Sequence, residues 1–273
     1  MSSLNEFYEL NNGVKLPKIG FGTSPLKGDE AYQAVKRALD YGYRHIDTAA
    51  LYNNEDMVGK AIIDSGIPRD ELFLTTKLDA SIKNYDDAIN AFNQSLDKLN
   101  LDYVDLYLIH APWPWDDKEG DYRAGNIAVY KALEALYHEG KVKAIGVSNF
   151  TKSDLENILA NCKVTPAVNQ IRYFVGIDQE ETVSFCQSNS ILIEAYSPLG
   201  RGEILEHDTL INLSKRFDKT PAQICLRYLI DQHIAPLPRS KTPLRIKENL
   251  ELDFSLSKDD IKTLKAIRFD PRK

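Results

Sequence analysis

Four polar or ionisable side chains in the first half of the chain stand out, because each closes or shortly follows an apolar run with the character of a β-strand. They are Asp47, Tyr52, Lys77 and His110. Asp47, Lys77 and His110 close three successive runs, and Tyr52 follows the first of them by a few residues. One polar group at a strand end is common, whereas four at the ends of three neighbouring strands predict a single rim where their side chains meet.

These side chains suit the donation of a proton to a carbonyl group while another molecule delivers hydride. A tyrosine is a weak acid with a reference pKa of about 10, and the ammonium of Lys77 beside it is expected to stabilise the phenolate and lower that pKa. Asp47 would pair with Lys77 and hold it in place, and His110 could orient the substrate oxygen. The set contains no activated serine or cysteine.

The composition narrows the classes of function. The 273 residues carry 34 basic and 40 acidic side chains, and a net charge of −6 without a basic stripe argues against a nucleic-acid or anionic-membrane partner. No run approaches about 18 consecutive apolar residues, so no membrane span is expected. Residues 1–6 lack the pattern of a secretory signal, and the three isolated cysteines fit a reduced, cytoplasmic location.

Apolar runs alternate with segments of helical periodicity along the whole chain, and no linker divides it. Strands are predicted over 18–21, 44–47, 72–77, 104–109, 143–147, 167–170, 191–195 and 234–238. Helices are predicted over 29–40, 54–65, 84–99, 126–139, 151–161, 179–189, 208–217 and 221–232. Eight strand–helix units with strands apolar on both faces predict an α/β fold, a (β/α)8 TIM barrel that forms one domain over residues 1–273 with extra C-terminal helices.

Two further features bear on this fold. The first 17 residues predict a β-hairpin around the turn Asn11-Asn12-Gly13, and such a hairpin could close the bottom of the barrel. The rival fold is a doubly wound sheet, which normally carries a Gly-x-Gly-x-x-Gly turn after its first strand. The candidate run here, GFGTSP from Gly20, lacks the third glycine.

Local signals support several helix boundaries. Asp29 can cap the first helix, and Thr151 with Asp154 forms a capping-box pattern. Thr220 followed by Pro221 places a proline in a first helical turn, where its missing N–H is tolerated.

Four motifs at these spacings resemble the aldo-keto reductase family from Gly20 to about Asn249. They are GYRHIDTA at 42–49 followed by Tyr52, LDYVDLYLIH at 101–110, GVSNF at 146–150 and AYSPLG at 195–200. The resemblance implies an NADPH-dependent reductase of aldehydes and ketones. It assigns the catalytic tetrad to Asp47, Tyr52, Lys77 and His110, with Tyr52 as the general acid.

The same resemblance implies where the cofactor lies. Ser148, Asn149 and Gln170 would hold the nicotinamide carboxamide, and Tyr196 would stack on the nicotinamide ring, as a flat aromatic face can. The residues implied for the pyrophosphate and ribose path are Ser197 and Leu199.

The segment from Pro238 to Asn249 resembles the family's clamp for the adenosine phosphate. Arg239, Ser240 and Arg245 would engage a 2′-phosphate, because guanidinium and hydroxyl groups suit phosphate oxygens. Glu248 and Asn249 would contact the adenine. The two arginines favour NADPH over NADH.

The chain departs from the family where aromatic rings often wall the substrate pocket. Ser24, Asp79 and Ala111 stand at positions where tryptophan is common, while Trp113 and Trp115 follow instead. The pocket is therefore expected to be more open and polar, with Trp113 and Trp115 forming either a pocket wall or loop packing. The residues expected to contact the substrate are Tyr52, His110 and Trp113.

The short tail after Asp270 and the compact chain resemble microbial members that act on 2-oxoaldehydes such as glyoxal, dicarbonyls and sugar-derived ketones such as 2,5-diketo-gluconate. A monomer is the expected state.

Two other classes of function stay open at this point. The family includes channel-associated subunits whose main role is interaction, although these typically carry extensions. A metal-dependent barrel enzyme would need convergent acidic and histidine ligands. His110, Asp47 and Glu194 could supply some of them, but Lys77 would repel the cation, so no metal site is expected.

Overall fold

The computed structural model describes residues 6–269 of the chain. Residues 1–5 and 270–273, on which the expectations about a secretory signal and a short tail depend, lie outside this range. Ten strands are present in it: β1 (Phe7–Glu9), β2 (Lys15–Pro17), β3 (Phe21–Gly22), β4 (His45–Asp47), β5 (Phe73–Leu78), β6 (Val104–Ile109), β7 (Val142–Ser148), β8 (Val168–Arg172), β9 (Leu192–Tyr196) and β10 (Ile234–Leu237).

The helices cover the sheet and extend beyond it. They are α1 (Gly28–Tyr41), α2 (Glu55–Asp64), α3 (Tyr85–Leu99), α4 (Arg123–His138), α5 (Lys152–Asn161), α6 (Glu180–Ser188), α7 (Asp208–Phe217), α8 (Pro221–Asp231), α9 (Pro243–Glu248) and α10 (Lys258–Lys265). α9 and α10 follow the last strand, as predicted. Within the described range no helix has the length and apolar character to cross a membrane.

The strands β3 to β10 form one parallel sheet in chain order. Two backbone hydrogen bonds join its first and last strands, from Gly20 N to Pro236 O at 3.1 Å and from Gly22 N to Pro238 O at 3.0 Å. The sheet is therefore a (β/α)8 barrel, and the doubly wound alternative is wrong. Parallel strands buried on both faces need helices outside them, and the alternation of helices and strands along the chain supplies these helices.

The predicted hairpin closes the amino-terminal end of the barrel. β1 and β2 pair antiparallel, with Tyr8 opposite Leu16. Both side chains are buried in a small cluster with apolar residues from the barrel strands, among them Phe73 and Leu106. The turn is tied down as well, because Asn11 Nδ2 donates to the Pro166 carbonyl at 3.0 Å. The bottom of the barrel is thus sealed, which leaves the opposite end for chemistry.

The structure differs from the predicted elements at a few boundaries. The first barrel strand covers only Phe21–Gly22. α1 begins at Gly28, its cap residue makes no side-chain cap bond, and Asp29 lies inside the first turn, so the predicted cap is wrong. The capping boxes that begin with Thr151 and Thr220 are both present. A box fixes a boundary through two reciprocal bonds, whereas a lone acid near a helix start is also favoured within the first turn.

Candidate active site

The four side chains predicted to share a rim lie together at the carboxyl end of the barrel. Asp47 ends β4, Lys77 lies near the end of β5, and His110 directly follows β6. Tyr52 ends the short 3-10 turn Ala50–Tyr52, which the left-handed Asn53 terminates. In a parallel barrel all strand ends of one kind meet at one face, so the fold places these four groups at one site.

Lys77 is the centre of this site. Its side chain is fully buried, and Nζ lies 2.8 Å from each carboxylate oxygen of Asp47 and 2.8 Å from the Thr48 carbonyl. It also donates to the Tyr52 hydroxyl at 3.5 Å. An ammonium donates and cannot accept, so the Tyr52 oxygen must be the acceptor. The phenolic proton is then free to point towards a substrate.

The Lys77 ammonium acts on Tyr52 in the expected direction, because it lowers the pKa of the phenol. Burial raises that pKa by more, so the net pKa of Tyr52 lies above its usual value. Desolvation of a phenolate is costly, and the sequence does not show this contribution. Tyr52 keeps its proton at neutral pH, as a general acid must.

His110 is a neutral neighbour of Tyr52. The two rings meet edge to face with their centroids 5.5 Å apart. Burial, together with Lys77, lowers the pKa of His110 to about 3. A neutral imidazole can donate one hydrogen bond and accept another, which suits the orientation of a carbonyl oxygen.

The two tryptophans lie on the His110 side of the site. Trp115 packs edge to face against His110 at 5.4 Å and against Trp113 at 5.0 Å. The Trp115 ring is 40% exposed and Ala111 is buried. The Asp79 carboxylate accepts hydrogen bonds from the backbone and hydroxyl of Ser81 at 2.9 and 2.7 Å.

The residues expected to hold and stack on the nicotinamide lie in or directly after β7 to β9, and two of them contact Asp47 or His110. Ser148 ends β7, and its hydroxyl donates to the Gln170 carbonyl at 2.8 Å. Asn149 Nδ2 donates to the His110 carbonyl at 3.0 Å, and Asn149 Oδ1 accepts from the Tyr196 hydroxyl at 2.8 Å. Gln170 Nε2 donates to Asp47 Oδ2 at 2.8 Å. The structure thus brings these four residues to the same end of the barrel as Tyr52.

The residues expected along the rest of the cofactor follow β9 and β10. Ser197 adopts a left-handed conformation, and Leu199 is partly buried. Ser240 and Asn249 are buried, whereas Arg239 and Arg245 are exposed. Among the described residues neither arginine side chain makes a hydrogen bond or ion pair. Glu248 ends α9 and is half-buried. Among residues 6–269 no hydrogen bond or ion pair joins this second group to Asp47, Tyr52, Lys77 or His110.

Two polar residues near the site were not predicted from the sequence. Lys83 Nζ donates to the Ala111 carbonyl at 3.2 Å and to Asn126 Oδ1 at 2.8 Å. Asn126 Nδ2 in turn donates to the Pro112 carbonyl at 2.9 Å. The pair holds the loop that leads from His110 to the tryptophans. No local motif marks it, because its members come from different elements.

Within residues 6–269 no three His, Cys, Asp or Glu side chains are grouped so as to hold a metal ion. The metal-dependent alternative therefore has no ligand set in this part of the chain. Glu194, one of its candidate ligands, instead accepts a hydrogen bond from Gln170 Nε2 at 2.8 Å.

The geometry agrees with the match of the chain to known proteins. A family model described as the Aldo/keto reductase family matches residues 18–268. The chain belongs to the aldo/keto reductase family. The aldo/keto reductases are oxidoreductases that use a nicotinamide cofactor, and carbonyl reduction is the chemistry that the tetrad geometry supports.

Individual relatives are similar over nearly their whole length. The glyoxal reductase of Bacillus subtilis is 40% identical over 99% of this chain and 96% of its own. An aldo/keto reductase structure from Brucella melitensis superposes with a TM-score of 0.92 at 43% identity, covering 97% of this chain and 98% of the other. A Bombyx mori aldo-keto reductase in complex with NADP superposes with a TM-score of 0.87 at 36% identity, covering 95% and 92%.

Proposed function

We propose that this aldo/keto reductase reduces small aldehydes and ketones with NADPH, and that Tyr52 is its general acid. The observation that carries the proposal is the hydrogen bond from Lys77 Nζ to the Tyr52 hydroxyl at 3.5 Å. This bond and the buried pair of Lys77 with Asp47 leave the phenolic proton as the one that can be given to a substrate oxygen.

The reaction follows from the polar groups of the rim. NADPH, when bound, supplies the hydride to the carbonyl carbon. As the carbonyl oxygen gains negative charge, Tyr52 donates its proton to that oxygen, and the ammonium of Lys77 stabilises the phenolate that remains. Asp47 holds Lys77 in place through both carboxylate oxygens. His110, neutral at physiological pH, orients the carbonyl oxygen towards Tyr52.

The residues present fit a nicotinamide at this position. Gln170 Oε1 accepts no hydrogen bond from the described residues, so it is open to a carboxamide N–H. Ser148 and Asn149 flank it at the end of β7, and the ring of Tyr196 is available for stacking. Ser197 and Leu199 would line the path of the pyrophosphate and ribose.

The preference for the phosphorylated cofactor rests on two exposed cations. Arg239 and Arg245 have no ion-pair partner among the described residues, whereas the neighbouring Lys241 pairs with Glu30 at 3.3 Å. Ser240 lies beside Arg239 and could donate to a phosphate, and Glu248 and Asn249 would contact the adenine. The similar Bombyx mori protein was solved with NADP, which supports this choice.

Small dicarbonyls are the proposed substrates. The similar Bacillus protein is a glyoxal reductase. In this chain Trp115 packs against His110 and against Trp113, while Ser24 is an exposed, small, polar residue. Trp113 would contact the substrate together with Tyr52 and His110.

The test is the consumption of NADPH or NADH with glyoxal, methylglyoxal, a diketone and an aldose, each with and without a chelator. We expect oxidation of NADPH by the small dicarbonyls that the chelator does not change. If no carbonyl compound causes oxidation of NADPH or NADH, the proposal is contradicted. Loss of activity in the presence of the chelator would indicate a metal-dependent reaction.

The sharper test is Tyr52→Phe. Removal of the phenolic hydroxyl should lower kcat by at least about a thousandfold, within the range that loss of an essential acid or electrostatic group costs. The affinity for NADPH, measured by fluorescence titration, should change less than about threefold, since one hydroxyl is far from most of the cofactor. A variant that keeps its kcat would show that another group is the acid.

A further inference from the structure

Glu194 is a buried carboxyl group in the barrel interior that the proposed reaction does not use. It lies in the middle of β9, opposite Gln170 of β8 in the strand register, and it is fully buried. Its Oε2 accepts a hydrogen bond from Gln170, but its Oε1 has no hydrogen-bond partner in the described part of the chain. The nearest basic atom is His45 Nε2 at 3.8 Å. A buried carboxyl with so few partners is costly, so its presence calls for a role.

The contact that Glu194 makes fixes the orientation of the Gln170 amide. A primary amide has two N–H donors on one nitrogen. Gln170 Nε2 lies 2.8 Å from Asp47 Oδ2 and 2.8 Å from Glu194 Oε2, so both donors are used. Turning the amide over would place its carbonyl oxygen against the Asp47 carboxylate, which can only accept hydrogen bonds. With one carboxyl instead of two, the amide would keep only one of its restraints.

We propose that Glu194 is a positioning residue that, together with Asp47, holds Gln170 with its Oε1 facing the nicotinamide carboxamide. This inference rests on the proposed function, in which Gln170 binds that group. The same amide bridges Glu194 to Asp47, and Asp47 continues to Lys77 and Tyr52. One connected set of bonds would then align the hydride donor with the proton donor.

The charge state of Glu194 agrees with this role. Burial and the neighbouring Asp47 raise its pKa to about 8. The other groups that face it are Lys77, which is paired with Asp47, and His45, whose pKa burial lowers to about 3. At pH 7 Glu194 is therefore protonated and neutral, and it serves as a hydrogen-bond acceptor without adding a second negative charge beside Asp47.

This charge state provides a matched pair of variants. Glu194→Gln keeps the shape, the neutral charge and an acceptor oxygen for Gln170, so its NADPH affinity at pH 7 should lie within about twofold of the parent protein. Glu194→Met keeps a similar volume and removes the acceptor. Its dissociation constant for NADPH should rise about tenfold, which corresponds to about one hydrogen bond. Its kcat should fall while the KM for the carbonyl stays unchanged.

The deciding measurement is a double-mutant cycle with Gln170→Met, read by fluorescence titration of NADPH. If Glu194 acts through Gln170, the variant that carries both substitutions binds NADPH no more weakly than Gln170→Met alone. Additive losses, or a Glu194→Met protein with parental affinity and kcat, would overturn the inference. Should Glu194→Met fail to fold, Glu194→Thr takes its place, since its hydroxyl is too short to reach Gln170. A parent protein that binds no NADPH would count against the proposed function instead.

Discussion

At the scale of single residues, the site depends on which groups are already paired and which are left for a ligand. The Lys77 ammonium lies 2.8 Å from both Asp47 carboxylate oxygens and from the Thr48 carbonyl, and 3.5 Å from the Tyr52 hydroxyl, so its three N–H donors are shared among four acceptors. The burial that makes this pair possible also keeps the Tyr52 proton in place. The same burial therefore holds Tyr52, the proposed acid, beside Lys77 and preserves its protonated form.

Arg245 is one of the residues proposed to select NADPH over NADH. Arg245→Ala should weaken NADPH binding by at least about tenfold while NADH binding changes less than about twofold, because a charge-assisted contact with the 2′-phosphate is worth on the order of 1.5–3 kcal/mol. The measurement is the dissociation constant of each cofactor.

The matched control for Arg245 is Lys247→Ala, which removes an exposed cation from the same helix. It should leave the ratio of the two dissociation constants unchanged. Equal weakening of NADPH and NADH by Arg245→Ala would remove the assignment of the 2′-phosphate to this residue.

At the scale of elements, the loop that follows β6 is held by side chains from two other elements. Lys83 precedes α3 and Asn126 lies in α4, and together they bind the carbonyl groups of Ala111 and Pro112. These hydrogen bonds form a clamp that holds the start of the loop that contains Trp115. The Trp115 ring packs against His110.

Lys83→Met should loosen that segment. We expect the KM for a dicarbonyl to rise by about fivefold to tenfold, the cost of one or two hydrogen bonds. The NADPH dissociation constant should not change, because the proposed cofactor residues follow β7 to β10. Steady-state kinetics and a cofactor titration separate the two effects.

The control is Lys98→Met, which changes an exposed lysine at the end of α3 and should alter neither the KM nor the NADPH dissociation constant. A Lys83→Met enzyme with unchanged KM would show that the clamp does not shape the pocket.

The helices α2 and α3 pack closely at Gly59. A Cβ atom on Gly59 of α2 would lie 2.0 Å from the backbone carbonyl oxygen of Leu99 at the end of α3. Gly59→Ala should lower the free energy of unfolding by about 1–3 kcal/mol through overpacking, although alanine favours the helix. Urea denaturation measures it, and the exposed Asp56→Ala in the same helix should stay within about 0.5 kcal/mol of the parent. A fully stable Gly59→Ala protein would mean that the two helices can move apart.

The elements themselves were largely predictable, whereas contacts across the barrel interior were not. The ends of the three strands that place Asp47, Lys77 and His110 at one face were predicted to within one residue, because apolar runs and helical periodicity are local signals. The bridge from Gln170 to Glu194 depends on strand register, and the clamp of Lys83 depends on how two helices pack. The sequence shows the charged neighbour that lowers the pKa of Tyr52, but not the depth of burial that raises it by more.

At the scale of the whole molecule, three buried groups couple folding to pH. Burial lowers the pKa of His45 and His110 to about 3 from 6.5. It raises the pKa of Glu194 to about 8 from 4.5, with Asp47 adding to the effect. The unfolded chain thus binds a proton on each histidine between about pH 3 and 6.5, whereas the folded protein keeps a proton on Glu194 between about pH 4.5 and 8.

These three groups set a stability maximum near pH 6.5. Stability rises with pH wherever the unfolded state binds more protons, by about 1.4 kcal/mol per pH unit for each proton. From pH 8 down to 6.5 only Glu194, among these three groups, binds a proton in the folded state that the unfolded chain does not bind. The free energy of unfolding therefore increases as the pH falls over this range. Between pH 6.5 and 4.5 two histidines oppose one carboxyl, so it decreases by about 1.4 kcal/mol per unit. Below pH 4.5 Glu194 no longer offsets the histidines, so the decrease becomes steeper.

His45→Gln tests this balance. The substitution removes one of the two protons that the unfolded chain gains, so the slope between pH 6.5 and 4.5 should fall from about 1.4 kcal/mol per unit to near zero. Urea denaturation at half-unit steps of pH measures it. His138→Gln changes an exposed histidine and should keep the parental slope. A parental slope in His45→Gln would mean that His45 takes its proton in the folded protein, and that the barrel interior below Tyr52 is more open to water than this fold indicates.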